Sequence, residues 1–219
     1  MPNFEENLKL DLGSFKERIY NDRHGILDPP SLHHEFVSGN HGRKLDFDKI
    51  PTGSDLYIQW TALFARVIKA IYKGGEPNTL VGIANGANRL PRSLAPLLGE
   101  GVLALTTEKE GSGSVKLDSI STALADEDVR NQDLVLIIDD VGSTGGTAAS
   151  VVSSLRKVGF SRIEAMYFWQ RSPNLPAFDD LGISYKAVIT EELPMFAPDE
   201  CLAEPEGYCH QGVSLALHG

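Results

Sequence analysis

The apolar residues of this chain form one long helical pattern, and a series of short apolar runs follows it. Between residues 55 and 72 they recur mostly at helical spacings, and two glycines and Pro77 then break the pattern, which predicts one long helix. The later runs lack clean alternation, as expected of strands that are buried on both faces. They cover residues 79–84, 102–106, 134–138, 163–169 and 183–189.

Helical patterns at residues 89–98 and 147–158 lie between these predicted strands. Strands that alternate with helices are typical of a parallel sheet, because each parallel strand needs a crossover connection. The sequence therefore predicts an α/β fold over residues 53–190, with a mainly parallel sheet flanked by helices.

The two ends of the chain differ from this predicted core. Residues 1–52 include a His- and Gly-rich stretch at 33–42, and residues 191–219 contain three prolines and both cysteines. Such composition is typical of irregular segments. We expect a small N-terminal cap and a C-terminal tail, each packed on the core.

Composition and charge narrow the range of partners. The chain has 30 acidic and 20 basic residues and a formal net charge of -10, which disfavours nucleic acid but allows a local cationic pocket for one small anion. The N-terminus lacks the pattern of a secretory signal, and no apolar run approaches the roughly 18 residues of a membrane-spanning helix. We therefore expect a cytoplasmic protein without a membrane partner.

Cys201 and Cys209 are the two cysteines of the chain. Reduced thiols are the default state in the cytoplasm. Together with His210 and His218 they suggest a small zinc site as an alternative, but the gap between the cysteines fits none of the compact zinc-finger spacings. We predict free thiols and no resident metal.

Residues 134–149 hold the most informative pattern. An apolar strand ends in Asp139 and Asp140, and the chain then passes through a glycine-rich turn into a helix. Glycine lets the backbone approach an anion, hydroxyl groups donate hydrogen bonds, and a helix N-terminus directs free N–H groups at the bound charge. The residues predicted to bind a phosphate are Val141, Gly142, Ser143, Thr144, Gly145, Gly146 and Thr147.

The two acids indicate what carries this phosphate. Asp139 and Asp140 can accept hydrogen bonds from the hydroxyls of a ribose whose 5′-phosphate lies in the turn. The chain lacks the Gly-Lys-Ser/Thr of a P-loop and the glycine fingerprint of a dinucleotide-binding fold. The alternative is a plain glycine-rich turn, which leaves two adjacent acids at the end of an apolar strand without a ligand, at an energetic cost.

Residues 135–147 resemble the signature of the type I phosphoribosyltransferases, an apolar strand followed by two acids and a Thr/Gly-rich loop. The resemblance implies a phosphoribosyl pyrophosphate substrate, a nucleobase as acceptor, Mg²⁺ carried mainly by the substrate, and a homodimer. The family typically has a residue larger than glycine at the position of Gly142.

Within this family, the chain is most similar to the orotate phosphoribosyltransferases, over about residues 30–190. Residues 36–39 read Phe-Val-Ser-Gly, which resembles the Phe-x-x-Ser-Gly segment in the N-terminal hood of those enzymes, and Asn85 and Gly86 lie where they have a pyrophosphate loop. The chain departs from their pattern at two places. Val37 replaces a typical lysine, and residues 109–112 read Lys-Glu-Gly-Ser where the mobile loop typically reads Lys-Asp-His-Gly.

Basic residues are the candidates for binding the leaving pyrophosphate. Lys109 lies in a polar, flexible stretch that can close over the site, and we predict that it reaches the pyrophosphate. The alternative is a solvated lysine between two acids. Arg89 and Arg92 lie at the start of a helix, where the helix dipole requires no cation, so we predict a nearby anion, with Arg89 as the better candidate to bind it. The alternative for both is an exposed helix arginine, and it is favoured for Arg92.

Two further residues are candidates for binding the base. Arg171 follows an apolar strand, where an arginine of the orotate enzymes contacts the base carboxylate, a group that suits a guanidinium. Its alternative role is to close a surface loop. Phe47 lies in the predicted hood and is a candidate to stack on the base, against core packing as the alternative.

These observations predict a phosphoribosyltransferase with Lys109, Asp139 and Asp140 as its catalytic residues. Orotate is the leading base. Two alternatives remain open: a purine-type phosphoribosyltransferase, and a non-catalytic sensor of nucleotide or phosphoribosyl pyrophosphate on the same fold, which the missing loop histidine favours.

Overall fold

The structure is a computed structural model, and it describes residues 4–22, 25–28, 34–36, 39–73, 77–83, 86–110, 114–117, 134–197 and 200–201. The chain divides into two compact units, a terminal unit of Met1–Tyr57 with Glu192–Gly219 and a central unit of Ile58–Glu191. In chain order, the helices and strands are α1 (Phe4–Tyr20), β1 (His34–Glu35), β2 (His41–Gly42), α2 (Asp55–Ile71), β3 (Thr79–Gly82), α3 (Arg89–Leu98), β4 (Leu103–Leu105), β5 (Thr107–Glu110), β6 (Ser114–Leu117), β7 (Val135–Gly142), α4 (Gly146–Lys157), β8 (Ile163–Gln170), α5 (Pro176–Asp179), β9 (Tyr185–Thr190) and β10 (Met195–Phe196).

The central unit contains a five-stranded sheet of order β4-β3-β7-β8-β9. Every neighbouring pair in it is parallel. Both faces are covered. On one face, Val151 of α4 and Val135 of β7 belong to one buried cluster. On the other, Phe168 of β8 makes edge-on contacts with the rings of Trp60 and Phe64 of α2. The predicted α/β fold with a parallel sheet flanked by helices is confirmed.

The strand order determines where a ligand can bind. From β3 the chain first crosses to β4 on one side and later returns to form β7 on the other side. The carboxyl ends of parallel strands lie at one edge of the sheet, and a reversal of strand order opens a crevice there. The segments that follow β3, β7 and β8 therefore meet at one place.

Two elements of the central unit differ from the sequence expectation. β7 continues past the apolar run to Gly142, because its pairing with β8 is maintained through Val141 and Gly142. The polar stretch that contains Lys109 was expected to be irregular. It forms β5, which pairs antiparallel with β6, with Lys109 opposite Val115.

A polar cluster lies on β8 and β9. Glu164 accepts hydrogen bonds from the Tyr72 hydroxyl at 2.7 Å and from Lys186 Nζ at 2.8 Å. Burial alone would raise the pKa of Glu164, but these two hydrogen bonds and the charges of Lys186 and Arg162 outweigh it and lower the pKa. The cluster therefore holds a carboxylate in its charged form.

The terminal unit contains α1 and a small antiparallel sheet of order β1-β2-β10. The pattern analysis did not predict α1, and the reason is its narrow apolar side: Phe15 and Ile19 are its buried residues. Asp28 is buried and accepts a hydrogen bond from the backbone N–H of Lys44 at 2.9 Å, while His34 Nε2 lies 2.7 Å from its carboxylate. Among the described helices, none is both long and apolar enough to span a membrane.

Candidate functional site

The candidate site begins at the carboxyl end of β7. Residues 135–138 are buried, whereas Asp139 and Asp140 are partly exposed. One oxygen of Asp139 accepts the backbone N–H of Asp140 at 3.0 Å, and one oxygen of Asp140 accepts the N–H of Val141 at 2.8 Å. Both carboxylates are therefore oriented by the backbone at the end of the central strand.

The glycine-rich turn after β7 leads into α4 through Gly145. This residue has a φ of +79°, in the left-handed region that favours glycine, and an added Cβ would meet the Phe178 ring at 3.0 Å. Because Gly145 has no side chain, it cannot cap the helix, and the first turn of α4 has no acidic residue. The N–H groups of that turn are therefore suited to receive an anion.

A cavity of about 100 Å³ lies between the end of β7 and the start of α4. This volume is several times the roughly 30 Å³ that a water molecule occupies in the liquid, so it suits a group of a few heavy atoms such as a phosphate. Seven of the predicted site residues line it, together with two residues that the sequence analysis did not select. The lining residues are Asp139, Val141, Ser143, Thr144, Gly145, Gly146, Thr147, Ala148 and Tyr167.

Tyr167 explains why position 142 is glycine. An added Cβ on Gly142 would lie 2.8 Å from Cγ and 2.9 Å from Cδ1 of the Tyr167 ring. The ring is 1% exposed, and among the described residues its buried hydroxyl has no hydrogen-bond partner. Burial and the charge of Asp139, with a smaller effect of Tyr185, raise the pKa of this hydroxyl. The sequence signal was a tyrosine within an apolar strand.

The turn after β3 is tied to the strand that carries Lys109. Asn88 donates to the carbonyl of Thr107 at 2.7 Å and accepts its N–H at 3.0 Å, while the Thr107 hydroxyl donates to the carbonyl of Gly82 at 2.9 Å. These bonds anchor the first residue of β5 at the carboxyl end of β3. No local sequence pattern reveals these bonds, because Asn88 and Thr107 belong to separate elements.

The turn itself is only partly described. Gly86 begins a single helical turn, Gly86–Asn88, that lies directly against the end of β3: an added Cβ on Gly82 would be 2.7 Å from the carbonyl oxygen of Ala87. The predicted site residue Asn85 lies outside the described residues, as do Val37 and Ser38 of the Phe-Val-Ser-Gly segment.

The predicted basic residues differ in their surroundings. Arg171 follows β8, is 4% exposed, and donates its backbone N–H to the carbonyl of Gly142 at 2.9 Å. Burial lowers the pKa of Arg171 to about 10, so it remains a cation at neutral pH. The Arg89 guanidinium lies over the Trp60 ring, 5.5 Å from its centroid, and Arg92 is exposed. Arg89 is therefore engaged in packing on an aromatic ring.

Two other predictions concern the terminal unit. Phe47 is fully buried, so its ring faces are covered by protein and do not offer a stacking surface for a base. Cys201 is a buried free thiol, whereas Cys209, His210 and His218 lie outside the described residues. Among the described residues, no group of three or more His, Cys, Asp or Glu side chains is arranged to hold a metal ion.

A family model described as phosphoribosyl transferase domain matches residues 48–183, more than half of the chain. A comparison with curated proteins finds no match. Among solved structures, the orotate phosphoribosyltransferase of Mycobacterium tuberculosis in complex with inorganic phosphate is 16% identical, with a TM-score of 0.57 over 83% of this chain and 96% of that chain.

Two other solved structures are equally similar in fold. The orotate phosphoribosyltransferase of Aeropyrum pernix is 16% identical, with a TM-score of 0.59 over 80% of this chain and 92% of that chain. The adenine phosphoribosyltransferase of Saccharomyces cerevisiae is 17% identical, with a TM-score of 0.59 over 80% and 99%. The matched domain and the shared fold lead to one conclusion: the chain belongs to the type I phosphoribosyltransferase family.

Proposed function

We propose that this protein transfers ribose 5-phosphate from phosphoribosyl pyrophosphate to a ring nitrogen of a nucleobase and releases pyrophosphate. The observation that carries the proposal is the cavity at the end of β7, where Asp139 and the hydroxyl- and glycine-rich turn line one small space. A sugar phosphate fits both halves of this lining, because its phosphate accepts hydrogen bonds and its hydroxyls donate them.

The turn and α4 bind the 5′-phosphate in this proposal. Thr144 and Thr147 are exposed and supply hydroxyl donors, and the first turn of α4 supplies backbone N–H groups and the positive end of the helix dipole. Gly145 allows the backbone to turn sharply enough to present these donors together.

Asp139 and Asp140 bind the ribose hydroxyls. The transition state of phosphoribosyl transfer has oxocarbenium character, so carboxylates held near the ribose ring also favour the positive charge that develops there. Mg²⁺ carried mainly by the substrate would neutralise charge on the pyrophosphate, and the carboxylates of Asp139 and Asp140 would be the protein's own oxygen donors for it.

Lys109 contributes a positive charge toward the leaving pyrophosphate. Lys109 lies on β5, which pairs with β6, and two contacts of this strand pair support the role. The bonds between Asn88 and Thr107 hold β5 at the carboxyl end of β3, and β6 lies alongside α4. If Lys109 acts mainly in the transition state, Lys109→Ala will lower kcat far more than it weakens substrate binding. Equal kcat in the variant and the wild type would show that Lys109 is a solvated lysine without a role in the reaction.

Orotate is the leading base. Arg171 is a buried cation attached to the end of β7 through the carbonyl of Gly142, and a guanidinium pairs well with the carboxylate that distinguishes orotate from uracil. Adenine phosphoribosyltransferase is as similar in fold as the orotate enzymes, so adenine and other purines belong in the test.

The experiment is a base panel. The protein is incubated with phosphoribosyl pyrophosphate, Mg²⁺ and each of orotate, uracil, adenine, guanine and hypoxanthine, and pyrophosphate release is followed. We expect release with orotate, and loss of release in Asp139→Asn. Asp179→Asn, an exposed acid of α5, serves as the matched control and leaves the rate unchanged.

The outcomes separate the alternatives. Release with a purine alone would replace orotate by that base. Binding of phosphoribosyl pyrophosphate without release for any base would identify a non-catalytic sensor, the reading that the missing histidine in residues 109–112 favours. Absence of binding would refute the proposed function itself. The resemblance also supports a homodimer, which light scattering of the purified protein tests directly.

A further inference from the structure

The Tyr167 hydroxyl is a buried polar group that has no role in the proposed function. It lies on β8, opposite Asp139 of β7, and paired residues of parallel strands project from the same face of a sheet. This is the face on which α4 packs. The hydroxyl thus lies on the same side of the sheet as the glycine-rich turn.

The ring is directed toward that turn. Although Tyr167 is aligned with Asp139, its ring lies over Gly142, three residues farther along β7, so the side chain leans toward the carboxyl edge of the sheet. Phe178 holds the ring from another side in an edge-on contact, with 6.2 Å between centroids. Tyr167 is also one of the residues that line the cavity at the start of α4.

A buried hydroxyl without a partner is costly, and protein structures rarely retain one without a reason. Phenylalanine at this position would fill the same space without that cost. The chain also has glycine at position 142, and this glycine is what admits the ring, because an added Cβ would lie 2.8 Å from Cγ of Tyr167. Tyr167 and Gly142 therefore depart together from a simpler apolar packing.

Resting on the proposed function, we infer that Tyr167 is a further substrate-binding residue, whose hydroxyl donates a hydrogen bond to the phosphate group held by residues 143–147. Gly142 makes room for the ring that delivers this donor. Tyr167 keeps its proton throughout the neutral range because its pKa is raised, so it can donate to an anion and cannot repel it. A phosphate oxygen is the acceptor that matches the cavity.

The test compares Tyr167→Phe with the wild type by calorimetry, using ribose 5-phosphate and inorganic phosphate as separate probes. A hydrogen bond to a charged group corresponds to about a tenfold or greater loss of affinity. We expect both probes to lose affinity by the same factor, because the contact is to the phosphate. In the free protein, the thermal midpoint of Tyr167→Phe should equal or exceed that of the wild type.

Tyr185→Phe is the matched control. Its hydroxyl accepts the backbone N–H of Leu175 at 3.3 Å, and its ring stacks on Phe178, so it is a structural neighbour of Tyr167. The control should lower the thermal midpoint slightly and leave both affinities unchanged. A similar loss of affinity in Tyr185→Phe would mean that general loosening of this cluster weakens binding, and it would overturn the assignment.

Three results distinguish this inference from the proposed function. If the wild type binds neither probe, the proposed function fails. If the wild type binds both and Tyr167→Phe binds them equally well, the hydroxyl is not a ligand, and the proposed function stands. If only ribose 5-phosphate loses affinity, the contact is to the sugar and the phosphate assignment is wrong.

Discussion

Replacing Gly142 by alanine tests how tightly β7 and the Tyr167 ring are matched. The new methyl carbon would lie 2.8 Å from Cγ and 2.9 Å from Cδ1 of Tyr167. Carbon atoms in favourable contact are about 3.5–4.0 Å apart, so the ring or the strand must move by about 0.7 Å or more. The backbone conformation does not oppose alanine, because the φ of Gly142 does not lie in the positive region that favours glycine.

The size of the stability loss in Gly142→Ala depends on how far the Tyr167 ring can move. Tyr167 is 1% exposed and is held by Phe178, which in turn stacks on Tyr185 at 5.4 Å. Overpacking in a closed core lowers the free energy of unfolding by about 1–3 kcal/mol. Alanine also makes the unfolded chain less flexible than glycine does, which raises the free energy of unfolding by about 0.4–1 kcal/mol. We expect a net loss of roughly 1–2 kcal/mol, which corresponds to a fall in Tm of about 2–8 °C for a chain of this size.

A double-mutant cycle isolates the contact. Gly142→Ala, Tyr167→Leu and the double variant are unfolded in urea beside the wild type, with circular dichroism as the readout. If the ring causes the loss, Gly142→Ala will cost about 1–2 kcal/mol less in the background of Tyr167→Leu than in the wild type. Equal costs in both backgrounds, within about 0.5 kcal/mol, would refute the packing argument.

Three other predictions concern the acids, the base and the polar cluster. Asp139→Asn and Asp140→Asn should each weaken phosphoribosyl pyrophosphate binding by about 1.5–3 kcal/mol, the range for one charge-assisted hydrogen bond, and unchanged affinity of both variants by calorimetry would contradict the ribose assignment. Arg171→Lys should lower the preference for orotate over uracil in kcat/KM, because an ammonium cannot reproduce two parallel bonds to a carboxylate, whereas an equal effect on both bases would make Arg171 structural. Glu164→Gln should lower the free energy of unfolding by about 1 kcal/mol at pH 7. Since the folded pKa of Glu164 is lowered, this difference should be lost as the pH falls through that lowered pKa, and a difference that persists in acid would show that charge is not its cause.

The sequence alone determined the parts that depend on neighbours along the chain. The helix at Arg89–Leu98 begins and ends where the pattern predicted, and so do the sheet strands to within a few residues. The glycine-rich turn was recognisable for the same reason. Its acids, hydroxyls and glycines are consecutive, so their meeting requires only a strand that ends and a helix that begins.

Only the tertiary structure decided which distant residues meet. Tyr167 reaches Gly142 because of the register between β7 and β8, and a shift of one residue would turn that ring to the other face of the sheet. Thr107 likewise meets Asn88 only once β5 lies against the turn after β3. Phe47 illustrates the opposite outcome: its pattern allowed either stacking on a base or core packing, and burial in the terminal unit favoured the core. Local periodicity specifies elements, whereas register and packing between elements specify which side chains share a site, and no local pattern encodes those two quantities.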